Sequence, residues 1–267
     1  MISTQTRNGR AATTVVGVAL LVSALLVAVP TASEAAALKC AGKTVTITGT
    51  TGNDTIDGTS GADVIHGLGG NDTISGLDGA DTICGGAGDD VINGGDGNDK
   101  LYAGPGDDTA RGGNGKDTIN GSDGNDLLRG GSGRDTIDGG EGKDNLYGDK
   151  MIDTLTGGIG WDYLEGGDGD DILKGGNGND RLDGKGGSDT LRGNQGDDTL
   201  VGGGGTDVTN GGDGDDRCSG ETETSCEMNP LDYKFERFLI SQAVPQADSD
   251  QPANQRVGTV EKRAGIV

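Results

Sequence analysis

From Gly49 to Ser219 an apolar residue recurs at every ninth position. Ile56, Ile65, Ile74, Ile83, Ile92 and Leu101 open the series, and Leu182, Leu191 and Leu200 come late in it. The residues on either side are mostly Thr, Asn, Asp, Arg and Lys. One apolar side chain between two polar ones is the alternation of a strand with a single buried face. The pattern predicts three-residue strands that turn their central residue inward and its two neighbours to solvent. A strand this short gains stability only by stacking on copies of itself.

With Gly49 as position 1, the nine-residue frame holds to Ser219 without insertion or deletion, giving 19 repeats. Position 6 is Asp in every repeat. Position 4 is Gly except at Met151, and position 1 is Gly except at Ala103. Position 8 is Ile or Leu except at Ala110, Thr209 and Cys218. The stretch "GGAGDDVINGGDGNDKLY" (85–102) shows two units of Gly-Gly-x-Gly-x-Asp-x-apolar-x back to back. Self-similarity at a fixed period marks a solenoid. Collagen, the other glycine-rich repeat, needs strict three-residue spacing.

Composition changes this picture in one respect. The 267 residues carry a formal net charge of −23, with 56 glycines and only 3% aromatic residues. Low hydrophobicity with high net charge predicts disorder unless a repeat stacks or a ligand drives folding. The acidity excludes nucleic acid as a partner, because phosphates are met by Lys and Arg. It favours cations.

The nonapeptide resembles the calcium-binding repeat of the RTX, or haemolysin-type, family, over residues 49–219. The resemblance implies an all-β, right-handed parallel β-roll. Six residues of each repeat form a calcium-binding turn and three a strand. Two repeats make a coil, and each ion sits between loops two repeats apart. Carried onto this chain, Asp54, Asp72, Asp90, Asp108, Asp126, Asp144, Asp162, Asp180, Asp198 and Asp216 form one metal-binding file. Asp63, Asp81, Asp99, Asp117, Asp135, Asp153, Asp171, Asp189 and Asp207 form the other. The gaps between these loops allow at most about 17 Ca2+ ions. Calcium takes six to eight oxygens, including carboxylates and backbone carbonyls, which a glycine-rich turn can supply. Magnesium demands a stricter octahedron, and zinc would need His or Cys ligands that a chain with one His lacks. Met151 replaces the position-4 glycine of the Asp153 loop and weakens that site. Without metal, the stacked carboxylates repel, so folding and calcium binding are expected to be one event.

The ends differ from the repeats. Arg7 and Arg10 precede an apolar run from Ala11 to Val29, and small residues follow near Ala35 and Ala37, so 1–37 reads as a secretory signal peptide. The mature protein is expected to be secreted, without a membrane span. Residues 38–48 read as an N-terminal cap and 220–244 as a C-terminal cap. Asn229 and Pro230 start a helix there that aligns Leu231, Phe235, Phe238 and Leu239. Residues 245–267 read as a disordered tail. Four cysteines in an exported chain suggest two disulfides. Cys218 and Cys226 lie close in sequence. Cys40 and Cys84 are left to pair, which requires the N-terminal cap to fold back, and "ICGG" at 83–86 with an early cysteine resembles secreted bacterial family members.

No catalytic constellation is present, and the chain is expected not to be an enzyme. His66 sits at an outward strand position without a Ser or Cys nucleophile beside it. The glycine-rich turns lack the helix and Lys of a phosphate loop. Tyr147, Trp161 and Tyr163 fall close together in the roll. They either shield the weak coil around Met151 or offer a face to a polysaccharide or a cell-surface partner. Two functions follow: a secreted calcium-binding structural module, or an extracellular recognition module.

Overall fold

The computed structural model describes residues 39–220, 222–224 and 226. Strand is the only regular secondary structure among them. Strands β1 (Lys39–Cys40) and β2 (Lys43–Thr44) pair antiparallel as a hairpin. From there on the chain winds as a parallel β-solenoid of about ten turns. β3 (Ile47–Thr48), β5 (Val64–Gly69) and β7 (Thr82–Ala87) open an 11-stranded sheet that ends at Thr222–Thr224. β4 (Thr55–Asp57) and β6 (Thr73–Asp78) open a 10-stranded sheet that ends at Arg217–Ser219. The chain alternates between the two sheets, so two nonapeptides make one coil. Register follows the repeat: Thr109 pairs with Leu127, Ala110 with Leu128 and Arg111 with Arg129.

The strands are longer than the three residues expected. Thr109–Asn114 is typical, with 6 residues, running from position 7 to position 3 of the next repeat. The glycines at positions 1 and 2 do not end the ladder; Gly113 pairs with both Gly95 and Gly131. Backbone bonding continues at the edges of the turn. The Gly97 N–H donates to the Asn114 carbonyl at 2.8 Å, and the Thr109 N–H to the Asp90 carbonyl at 2.8 Å. From β5 to Val208–Asp213 only positions 4–6 lie outside strands, because parallel stacking satisfies the backbone almost everywhere else.

The core is the expected column at position 8. Ile65, Ile83, Leu101, Leu128, Leu146 and Leu164 are fully buried, and the column continues to Leu200. Each such side chain contributes about 1.5–3 kcal/mol on burial. Position 4 requires glycine for space as well as conformation. Gly97 has φ 143°, and a Cβ there would run into the backbone of Gly79 in the coil before. Met151 adopts a left-handed φ of 74° at the equivalent place and leaves its side chain exposed. The backbone turn therefore survives that substitution.

The β1–β2 hairpin packs on the outward face of the 11-stranded sheet, against β5 and β7. Cys40 is bonded to Cys84 on β7, with Cα atoms 5.8 Å apart. The Lys43 Nζ donates to Thr82 Oγ1 at 2.8 Å, and the hairpin buries Thr82 completely. A second disulfide joins Cys218 to Cys226, with Cα atoms 5.8 Å apart. The expected signal peptide, C-terminal helix and tail lie outside the described residues. No helix among the described residues is long and apolar enough to cross a membrane.

Candidate metal centre

Position 6 closes each turn, and the 18-residue coil stacks every loop aspartate on the next of its file. The contact is the same throughout. The Asp54 N–H donates to Asp72 Oδ1 at 2.8 Å, and Asp72 N–H to Asp90 Oδ1 at 2.8 Å. This ladder runs on to Asp198 and Asp216 at 2.9 Å. The second file repeats it from Asp63 and Asp81 at 2.8 Å to Asp189 and Asp207 at 2.9 Å. The structure thus sorts the 19 aspartates into the two files expected, and all but Asp54 are buried.

The ladder uses only one oxygen of each carboxylate. Among the described residues, Oδ2 of every loop aspartate from Asp72 to Asp198, and of Asp216, is buried without a hydrogen-bond donor. Its surroundings are more oxygen. A Cβ placed on Gly94 would lie 2.5 Å from Asp99 Oδ2 and 2.6 Å from the Gly112 carbonyl oxygen of the next coil. Position 1 is therefore glycine for space: its φ is ordinary, but carboxylate and carbonyl oxygens occupy the place of a side chain. Acceptors that face each other without a donor are costly when buried.

The titration behaviour agrees. Burial pushes Asp153 up to about 8; the bond from Asp135 N–H opposes this, and the Asp135 and Asp171 carboxylates add to it. Burial likewise raises Asp108 and Asp180 to about 7, against the bonds from Asp90 and Asp162 N–H. Asp90, Asp99, Asp117, Asp126, Asp135, Asp162, Asp189 and Asp198 reach about 6. At neutral pH Asp153 is therefore largely protonated and Asp108 and Asp180 partly so, and a nearby positive charge would favour the ionised form of all of them.

A divalent cation with oxygen preference fits this donor set. Among the described residues no group of three or more His, Cys, Asp or Glu side chains could hold a metal ion. A cation here would be held by one or two carboxylates together with backbone carbonyls, a ligand mixture that suits calcium rather than zinc. When bound, calcium supplies the charge that the Oδ2 files lack.

The family model for the RTX calcium-binding nonapeptide repeat (4 copies) matches the chain in eight overlapping stretches, from 48–83 to 183–218. The chain belongs to the RTX calcium-binding repeat family. No curated protein matches it. RTX repeats imply Ca2+ binding in a structural repeat domain.

The loops of the RTX roll also carry an outer ladder that reading the repeat did not reveal. Asn71 N–H donates to Asn53 Oδ1 at 2.9 Å, Asp89 N–H to Asn71 Oδ1 at 3.1 Å and Asp107 N–H to Asp89 Oδ1 at 3.1 Å. These position-5 bonds point from each loop to the one before, opposite to the aspartate ladder. Frequent Asn and Asp at position 5 were the available signal.

The aromatic residues divide. Tyr147 and Tyr163 pack edge to face, with ring centroids 5.9 Å apart, and the Arg129 guanidinium lies 4.9 Å from the Tyr147 ring centre. Tyr163 Oη donates to Glu165 Oε2 at 2.7 Å. Trp161 is outside this group; it lies on the turn beside Gly178 and is 64% exposed. His66 is half-buried beside the Cys40–Cys84 bridge, and its Nδ1 accepts the Leu68 N–H at 3.0 Å.

Proposed function

We propose that this chain is a secreted calcium-binding protein whose repeat domain folds on binding many Ca2+ ions and serves as a non-catalytic, extracellular structural module. The observation that carries this reading is the repeated buried Oδ2 without a donor. A chain that places this many carboxylate oxygens inside its turns requires a counter-charge to fold, and metal binding then becomes folding free energy. Export through the N-terminal segment delivers it to a calcium-rich, oxidising place, where the two disulfides persist. Equilibrium dialysis tests the reading. Many calcium ions per chain, not displaced by excess magnesium, are expected; one ion or none would rule it out.

Recognition of a polysaccharide or a cell-surface partner is the second reading. The exposure of Trp161, the single tryptophan, supports it. Glycan-array binding lost in Trp161→Ala is the corresponding test, and unchanged binding removes that reading.

A further inference from the structure

The first loop of each file differs from all later ones. Asp54 Oδ2 accepts both the Thr50 N–H at 2.6 Å and the Thr50 hydroxyl at 2.9 Å. Asp63 Oδ2 accepts the Thr59 N–H at 2.7 Å and the Thr59 hydroxyl at 2.9 Å. In later loops the same oxygen is buried with no donor from Asp72 to Asp198. Threonine occupies position 2 at residues 50 and 59 and in no other repeat.

The backbone changes with it. Position 4 is left-handed in the following loops, as at Gly70 (φ 104°) and Gly79 (φ 139°), but Gly52 and Gly61 do not enter that region. Their N–H groups instead donate to Thr50 Oγ1 and Thr59 Oγ1, each at 3.2 Å. Each of these loops is thus a closed local turn around its own carboxylate.

We propose that Thr50 and Thr59 end the two oxygen files without metal, making the first loop of each file a built-in cap rather than a calcium site. This rests on the calcium reading above. A hydroxyl and an amide already supply two donors to the oxygen that a cation would otherwise meet, and a cation would have to displace both. The location suits the role. The first loop of a file has a neighbouring loop on one side only, so it is where a file has to end. Capping removes one gap from each file, so the calcium number falls two below the ceiling set by counting loops.

The test compares the full chain with T50V/T59V and T50G/T59G. Valine removes the hydroxyl at constant shape; glycine restores Gly-Gly-x-Gly in both loops. Calcium per chain is measured by equilibrium dialysis, and amide exchange at Gly52 and Gly61 by mass spectrometry. T50V/T59V is expected to bind as many ions as the parent while the Gly52 and Gly61 amides, which lose their hydroxyl acceptor, exchange faster. T50G/T59G is expected to bind two more ions. Fewer ions in T50V/T59V would make the hydroxyls calcium ligands and overturn the proposal, as would an unchanged number in T50G/T59G. If none of the three chains binds calcium, the calcium reading itself fails, and the exchange rates still decide whether the caps exist: rates unaffected by valine overturn them.

Discussion

Ala103 and Ala110 are the two alanines of one repeat, and both lie buried in the core. In the first repeat, position 1 faces the end of the position-8 side chain. A Cβ on Gly49 would stand 3.1 Å from Ile56 Cδ1. The one repeat with a Cβ at position 1 has the shortened side chain at position 8, and both alanines are buried. The two departures from the repeat are expected to compensate one another. Ala110→Leu alone should overpack the coil and cost about 1–3 kcal/mol. Ala103→Gly added to it should recover most of that loss. A double-mutant cycle by thermal melting in calcium reads the coupling; additive effects would refute it.

The outer ladder breaks in the middle of the roll. Arg134, Lys143, Ile152 and Trp161 hold position 5 in four consecutive repeats, and none offers a carboxylate or amide oxygen. The Lys143 N–H still donates to Asn125 Oδ1 at 3.0 Å, but nothing on Lys143 can accept in turn from Trp161. Met151 lies in the same stretch. Lys143→Asn should supply the missing acceptor, slow exchange of the Trp161 amide and add about 1 kcal/mol of stability. In the parent chain with calcium, the loops between 134 and 161 should exchange faster than those of Asn71, Asp89 and Asp107, by mass spectrometry. Uniform protection would show that the outer ladder contributes nothing.

Acid should partly replace calcium. Burial raises the loop carboxylates from near 4 to about 6 at Asp90, about 7 at Asp108 and about 8 at Asp153. Their folded values lie above the unfolded one, so the metal-free fold binds more protons than the unfolded chain in that interval. Stability from protonation is then fully present below about pH 4 and lost as pH rises through about 6 to 8. Calcium needs the ionised form, so protons compete with it. The calcium-free chain should gain β-structure between about pH 7 and pH 4 by circular dichroism, and the calcium midpoint should rise over the same range. A calcium-free chain equally unfolded at both pH values would contradict this.

Much of this was legible in the sequence, because one residue type at one spacing carries each feature. The Ile/Leu column at position 8 fixed the core, and the unbroken Asp at position 6 fixed both files. The strand length was not legible: glycine at positions 1 and 2 reads as turn, yet stacked coils keep it in the ladder. Thr50 and Thr59 read as ordinary polar substitutions, since nothing in a local sequence shows that a hydroxyl is satisfying a carboxylate four residues on. The outer ladder was hidden because Asn, Asp and Ser all serve as acceptors there, so no single letter repeats. The Cys40–Cys84 pairing was legible by elimination among four cysteines, whereas the β1–β2 hairpin that brings Cys40 over β5 and β7 carried no periodic signal.

The central claim is that the aspartate files make folding and calcium binding one event. Circular dichroism of the purified chain in chelator and then in millimolar calcium tests it most directly. A largely disordered spectrum in chelator at neutral pH, converting cooperatively to β-structure as calcium is added, is the predicted result. A β-rich spectrum in chelator that calcium leaves unchanged would contradict it.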